Sequence, residues 1–138
     1  MTAVPGDVDV DRGPPLSVPL RHFVAALGFL LAGAALGVAD AFGVVPGLAR
    51  LAHVHLLLVG FVCLTIAGAM TQFVPVWSGT SLHSRRLARA QLWLVGVGLL
   101  GFVAGLLTGR PILLPFFGGL VLLGFWTLAY NVGRTLAT

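Results

Sequence analysis

The stretch LAHVHLLLVGFVCLTIAGAMTQFVPVW, residues 51–77, decides the fold. It carries no Asp, Glu, Lys or Arg over 27 positions. A helix rises about 1.5 Å per residue, so about 20 apolar residues cross a hydrocarbon core about 30 Å thick. The run therefore reads as a tilted membrane-spanning helix. Two histidines, His53 and His55, stand near its start. Ionisable side chains in such a helix are costly, and each is a functional candidate until a partner accounts for it.

The rest of the chain belongs with that helix. Its 138 residues allow one domain. Apolar residues make up 58% and charged residues 9%, against about 25% charged in a soluble domain. Mean hydropathy is +1.03. Further apolar runs at 20–45, 90–108 and 112–132 give an all-α, integral membrane, antiparallel four-helix bundle over 20–138. Residues 1–19 hold four of the eight prolines and three of the four acids. Such a segment has too little to bury and reads as a disordered tail. Gly33/Gly37 and Gly101/Gly105 are G-x-x-x-G pairs, which let another helix come close. Gly109-Arg110-Pro111 is a tight return, and the loop at 80–89 is the most polar stretch. Trp77, Trp93, Trp126 and Tyr130 read as interfacial belt residues.

The net charge is +4 and every basic residue is Arg. The arginines stand at the ends of the apolar runs, where charge sets topology. No basic face interleaved with aromatics accompanies them, which argues against a nucleic-acid partner. Six fall on the side of the termini, and Arg50 and Arg110 fall on the other. The positive-inside rule then predicts a multi-pass plasma-membrane protein with both termini cytoplasmic. The single cysteine, Cys63, excludes an intrachain disulfide or thiolate cluster. Apart from Asp40, no carboxylate lies in the spans, so ion-coupled transport has little support.

Residues two apart on a helix of 3.6 residues per turn point about 200° apart. His53 and His55 therefore do not chelate one metal together, and each must face its own neighbour. In line with His53 lie Gly60, Ala67, Gly68 and Thr71, all small. In line with His55 lie Val59, Val62, Ile66 and Phe73, mostly bulky. A small face suits a planar macrocycle beside the helix and equally suits a close-packed second helix. His22 reads as an interfacial histidine and His83 as a solvated loop residue. The hydroxyls of Thr65 and Thr71 are expected on their own helix backbone.

The run Arg50-Leu51-Ala52-His53-Val54-His55-Leu56-Leu57, with Gly60 and Thr65-Ile66-Ala67-Gly68-Ala69-Met70 after it, resembles the haem-bearing second helix of the haem–copper oxidase subunit I family. The flavour is that of the nitric-oxide-reductase and cbb3-type members, in which an R-x-x-H start carries the low-spin haem histidine. The likeness extends through residues 72–79 and covers about a third of the chain. It implies that His53 ligates a b-type haem. The chain departs from the family in having one four-helix arc where the catalytic subunit has three, and in lacking the copper-ligand helix. Copper is therefore not expected within one chain. The resemblance implies a homo-oligomer, with a trimer favoured, in which His53 of one copy and His55 of the next are the axial ligands. Gly60 would give the macrocycle room, and Arg50 and Arg110 would meet its propionates. The implied chemistry is electron transfer with a redox partner, or reaction of oxygen or nitric oxide. The alternative is a cofactor-free membrane scaffold or accessory subunit of a respiratory complex.

Overall fold

The computed structural model describes residues 14–137, and most of the expected tail lies outside them. Four helices follow in order: α1 (Ser17–Ala41), α2 (Ala49–Ser78), α3 (Arg85–Thr108) and α4 (Leu113–Leu136). Each is long and apolar enough to cross a membrane, and no strand occurs among the described residues. The protein is a multi-pass membrane protein of all-α class. Helix α1 starts at Ser17, three residues before the apolar run, because Pro19 falls in the first turn, where its missing N–H costs nothing. Helix α3 starts at Arg85, within the polar loop, because Ser84 caps it by accepting from the Leu87 amide at 3.2 Å.

Two hairpins make the bundle, α1 against α2 and α3 against α4, with α2 lying against both α3 and α4. In lipid there is no water to expel between helices, so close backbone approach and dispersion hold them together. Glycines provide that approach at both hairpins. Gly33 and Gly37 of α1 lie under Leu57 and His53 of α2. Gly98, Gly101 and Gly105 of α3 receive Phe117, Val121 and Leu114 of α4. The apolar centre includes Phe29, Leu56, Leu64, Val95 and Leu99.

Helix α2 is not uniform. Over Leu56–Cys63 it widens to π geometry, centred near Gly60, and returns to an α-helix at Leu64. Short π segments within α-helices re-aim the side chains around them and recur at functional sites. Here the widened segment begins at the residue after His55.

The connections hold the two ends of the bundle differently. At the hairpin end, Gly47 at φ +76° passes against the carbonyls of Leu106 and Leu107, and the Leu48 amide donates to the Leu106 carbonyl at 3.2 Å. At the terminal end, where α2 leads into α3, Asn131 of α4 clamps Ser84. It accepts from the Ser84 amide at 3.0 Å and donates to the Ser84 carbonyl at 2.9 Å. Thr135 accepts from the His83 amide at 3.0 Å. Asn131 and Thr135 are both fully buried.

Candidate functional site

His53 and His55 open α2 at the hairpin end and turn to different neighbours, as their 200° offset requires. Both neighbours belong to the same chain. His53 faces α1: its Nδ1 donates to the Gly33 carbonyl at 2.7 Å, and its ring lies over Gly37. His55 faces α3: its ring lies 4.9 Å from that of Phe102, and its Nδ1 donates to the Leu51 carbonyl of its own helix at 2.8 Å. Both side chains are half-buried.

The shared feature is the anchored Nδ1. A backbone carbonyl only accepts, so each Nδ1 carries a proton and Nε2 of the neutral ring keeps its lone pair. Neither Nε2 makes a hydrogen bond among the described residues. The buried polar atoms left without a partner are Gln72 Oε1 and Gln91 Nε2 instead. Metal-bound histidines characteristically hold their other ring nitrogen in this way.

The surroundings of the two rings differ. The small face in line with His53 is covered by α1, not open to a macrocycle. Gly60 meets Phe29 and Leu99, and Gly68 meets His22 and Phe23. The G-x-x-x-G pair of α1 and the small stripe of α2 are thus two sides of one contact. His55 instead lines a groove of about 240 Å³ with Val59, Leu99, Phe102, Gly118 and Val121. Arg50 and Arg110 are both exposed at the hairpin end, at the start of α2 and in the α3–α4 turn. Among the described residues, no three His, Cys, Asp or Glu side chains converge as a metal cluster.

The terminal end holds a polar contact that the sequence reading did not separate from the interface. His22 is 1% exposed and Gln91 fully buried. Nδ1 of His22 donates to the Val18 carbonyl at 2.9 Å, and Nε2 lies 2.7 Å from Gln91 Oε1. Both ring nitrogens are thus used, Nδ1 on the Val18 carbonyl and Nε2 on the Gln91 side-chain amide, so His22 is a structural pin between α1 and α3. The signal was present in the periodicity: His22, Ala26, Phe29 and Gly33 form the buried stripe of α1. Thr65 and Thr71 bond to the carbonyls of Phe61 and Gly68, as expected of hydroxyls in a span. His83 is exposed, edge-on to Tyr130.

Fold and site together define a small multi-pass helical membrane protein with two oriented histidines at one end of its bundle. Comparison with family models, with curated proteins and with solved structures finds no match.

Proposed function

We propose that copies of this chain hold b-type haem between them at the hairpin end. In this reading Nε2 of His55 from one copy and Nε2 of His53 from the next would hold the haem iron. The observation that carries it is the pair of Nδ1 hydrogen bonds to Gly33 and Leu51, which orient both rings and leave both Nε2 atoms without a hydrogen-bond partner. With the small face beside His53 covered by α1, His55 on its groove is the better placed of the two. A groove of about 240 Å³ beside His55 is smaller than the roughly 300–1,000 Å³ of a typical small-molecule pocket. One chain therefore contributes only part of a macrocycle's bed, which supports a site shared between copies, with a trimer favoured. Gly118 in that groove supplies the close approach that the sequence sought at Gly60. Arg50 and Arg110 supply two guanidiniums at the same end for carboxylate groups. Held by two imidazoles, the haem would supply single-electron transfer, at a plasma membrane with both termini cytoplasmic. Copper has no part in this reading.

The test is an absorption spectrum of dithionite-reduced protein purified from haem-replete cells, followed by mass measurement in detergent. A Soret band and a mass of several chains are expected. A colourless protein overturns the proposal. It would favour a cofactor-free scaffold or accessory subunit, a reading supported by α4, where a Cβ on Gly119 or Gly133 would meet no atom within 4 Å, so that both offer small surfaces to another helix.

A further inference from the structure

We infer that the seam between α1 and α3 binds an anionic phospholipid, its phosphate at the terminal end and one acyl chain along the seam. Two neighbouring cavities carry this, and they share one wall residue. The first is a cleft of about 50 Å³ lined by Ser17, Arg21, His22, Arg85 and Arg89. The second is a groove of about 440 Å³ between Gly28 and Ala32 of α1 and Gly96 and Val97 of α3. Leu92 lines both. A charged mouth and an apolar trough thus lie on either side of Leu92 along the same seam, which is the order of groups in a phospholipid.

The mouth is built for an anion. Three guanidiniums line it, and the one carboxylate side chain within the four helices, Asp40, is at the opposite end of α1. The first turns of α1 and α3 both line the cleft, so the positive ends of two helix dipoles point the same way as the arginines. Neither first turn contains an acidic residue. Arg85 is the first residue of α3 and Arg89 lies one turn on, a placement that opposes the dipole of that helix unless an anion sits between them. The mouth is also held in place. The Asn131 clamp on Ser84 fixes where α3 begins, and the His22–Gln91 contact fixes α1 against α3 just behind the cleft.

The trough is open because its glycines pack against nothing. A Cβ placed on Gly28 or Gly96 meets no atom within 4 Å, whereas one on Gly98 or Gly101 runs into α4. A flexible chain fits a shallow, open trough of this kind without displacing any helix.

The experiment uses the purified full chain in neutral detergent. Phosphatidylglycerol, phosphatidylcholine and inorganic phosphate are each titrated while thermal unfolding is followed, and native mass spectrometry counts retained lipids. The inference expects stabilisation by phosphatidylglycerol with one lipid retained per chain, and little from phosphatidylcholine or inorganic phosphate. Arg85→Gln with Arg89→Gln should weaken phosphatidylglycerol binding roughly 25-fold, at about fivefold per arginine near a lipid surface. Gly96→Leu, whose Cβ meets no atom within 4 Å and whose longer side chain would occupy the trough, should remove lipid retention while leaving the unliganded protein folded. Stabilisation by inorganic phosphate alone would show a free-anion site and overturn the lipid assignment. Equal binding of phosphatidylcholine, or full retention in the arginine pair variant, would overturn the role of the mouth, and full retention in Gly96→Leu that of the trough.

Discussion

The two ends of the bundle use the same residue type in opposite ways. At the terminal end His22 is sealed between α1 and α3, and both of its ring nitrogens are spent on Val18 and Gln91. At the hairpin end His53 and His55 each spend one nitrogen on a backbone carbonyl and keep the other. Polar groups inside a membrane are costly unless satisfied, so a fully bonded histidine is accounted for as structure. A half-bonded, half-buried one is oriented without being used up. The difference shows that the count of histidines in a span says little about function. The number of ring nitrogens left over says more.

The largest expected effect breaks the comparison outright. If the leftover nitrogens hold iron, His55→Ala or His53→Ala removes the Soret band of the purified protein, while His22→Ala keeps it. Optical spectra of the three variants, normalised to protein, decide this. A band that survives both hairpin-end substitutions removes the distinction between the ends.

The next test concerns His53 alone, whose ring is both a candidate ligand and a packing element. A Cβ on Gly37 would lie 2.6 Å from Nδ1 and Cε1 of that ring. Gly37→Ala therefore forces the ring off the Gly33 carbonyl and should cost about 1–3 kcal/mol as overpacking. The double variant Gly37→Ala with His53→Ala should recover most of that loss, because the obstruction is gone. Unfolding in mixed detergent micelles measures both. Additive losses would show that the ring does not sit on Gly37.

The architecture was legible because it rests on composition and run length. Residues 51–77 and the three other apolar runs became four helices, and the Gly33/Gly37 and Gly101/Gly105 pairs became close contacts. The opposed directions of His53 and His55 followed from helical geometry alone. What each of them faces did not follow, because spacing gives a direction and not a neighbour. The glycines that admit His53 lie 20 and 16 residues earlier on another helix, and nothing local pairs them with it. The π segment from Leu56 was also hidden, since its sequence is uniformly apolar. The terminal clamp escaped for a similar reason. Asn131 and Thr135 look like ordinary polar residues at a helix end until the loop at Ser84 folds onto them.

At the terminal end the expected effects are smaller and purely structural. His22→Ala removes an interhelical hydrogen bond and leaves the Gln91 side chain buried without its partner. Interhelical hydrogen bonds in membranes average about 0.6 kcal/mol and reach about 1.7, and the vacated volume adds to the loss, so about 1–2 kcal/mol is expected. A double-mutant cycle with Gln91→Ala isolates the pair, and a coupling near zero would show that the contact is not formed in the bilayer.

The smallest effect is expected where a glycine faces outward. Gly96 and Gly101 lie on the same helix, one turn and a half apart, and look alike in sequence. A Cβ on Gly101 meets the Phe117 ring, so Gly101→Ala should cost about 1–3 kcal/mol. A Cβ on Gly96 meets nothing within 4 Å. Gly96→Ala should then lie within about 0.5 kcal/mol of the wild type, with the sign set by helix propensity, which favours alanine over glycine by up to about 1 kcal/mol in water. A cost at Gly96 as large as at Gly101 would mean that a helix of a second copy occupies the α1–α3 trough. The open surface at the terminal end would then be an interface, and sharing between copies would no longer be peculiar to the hairpin end.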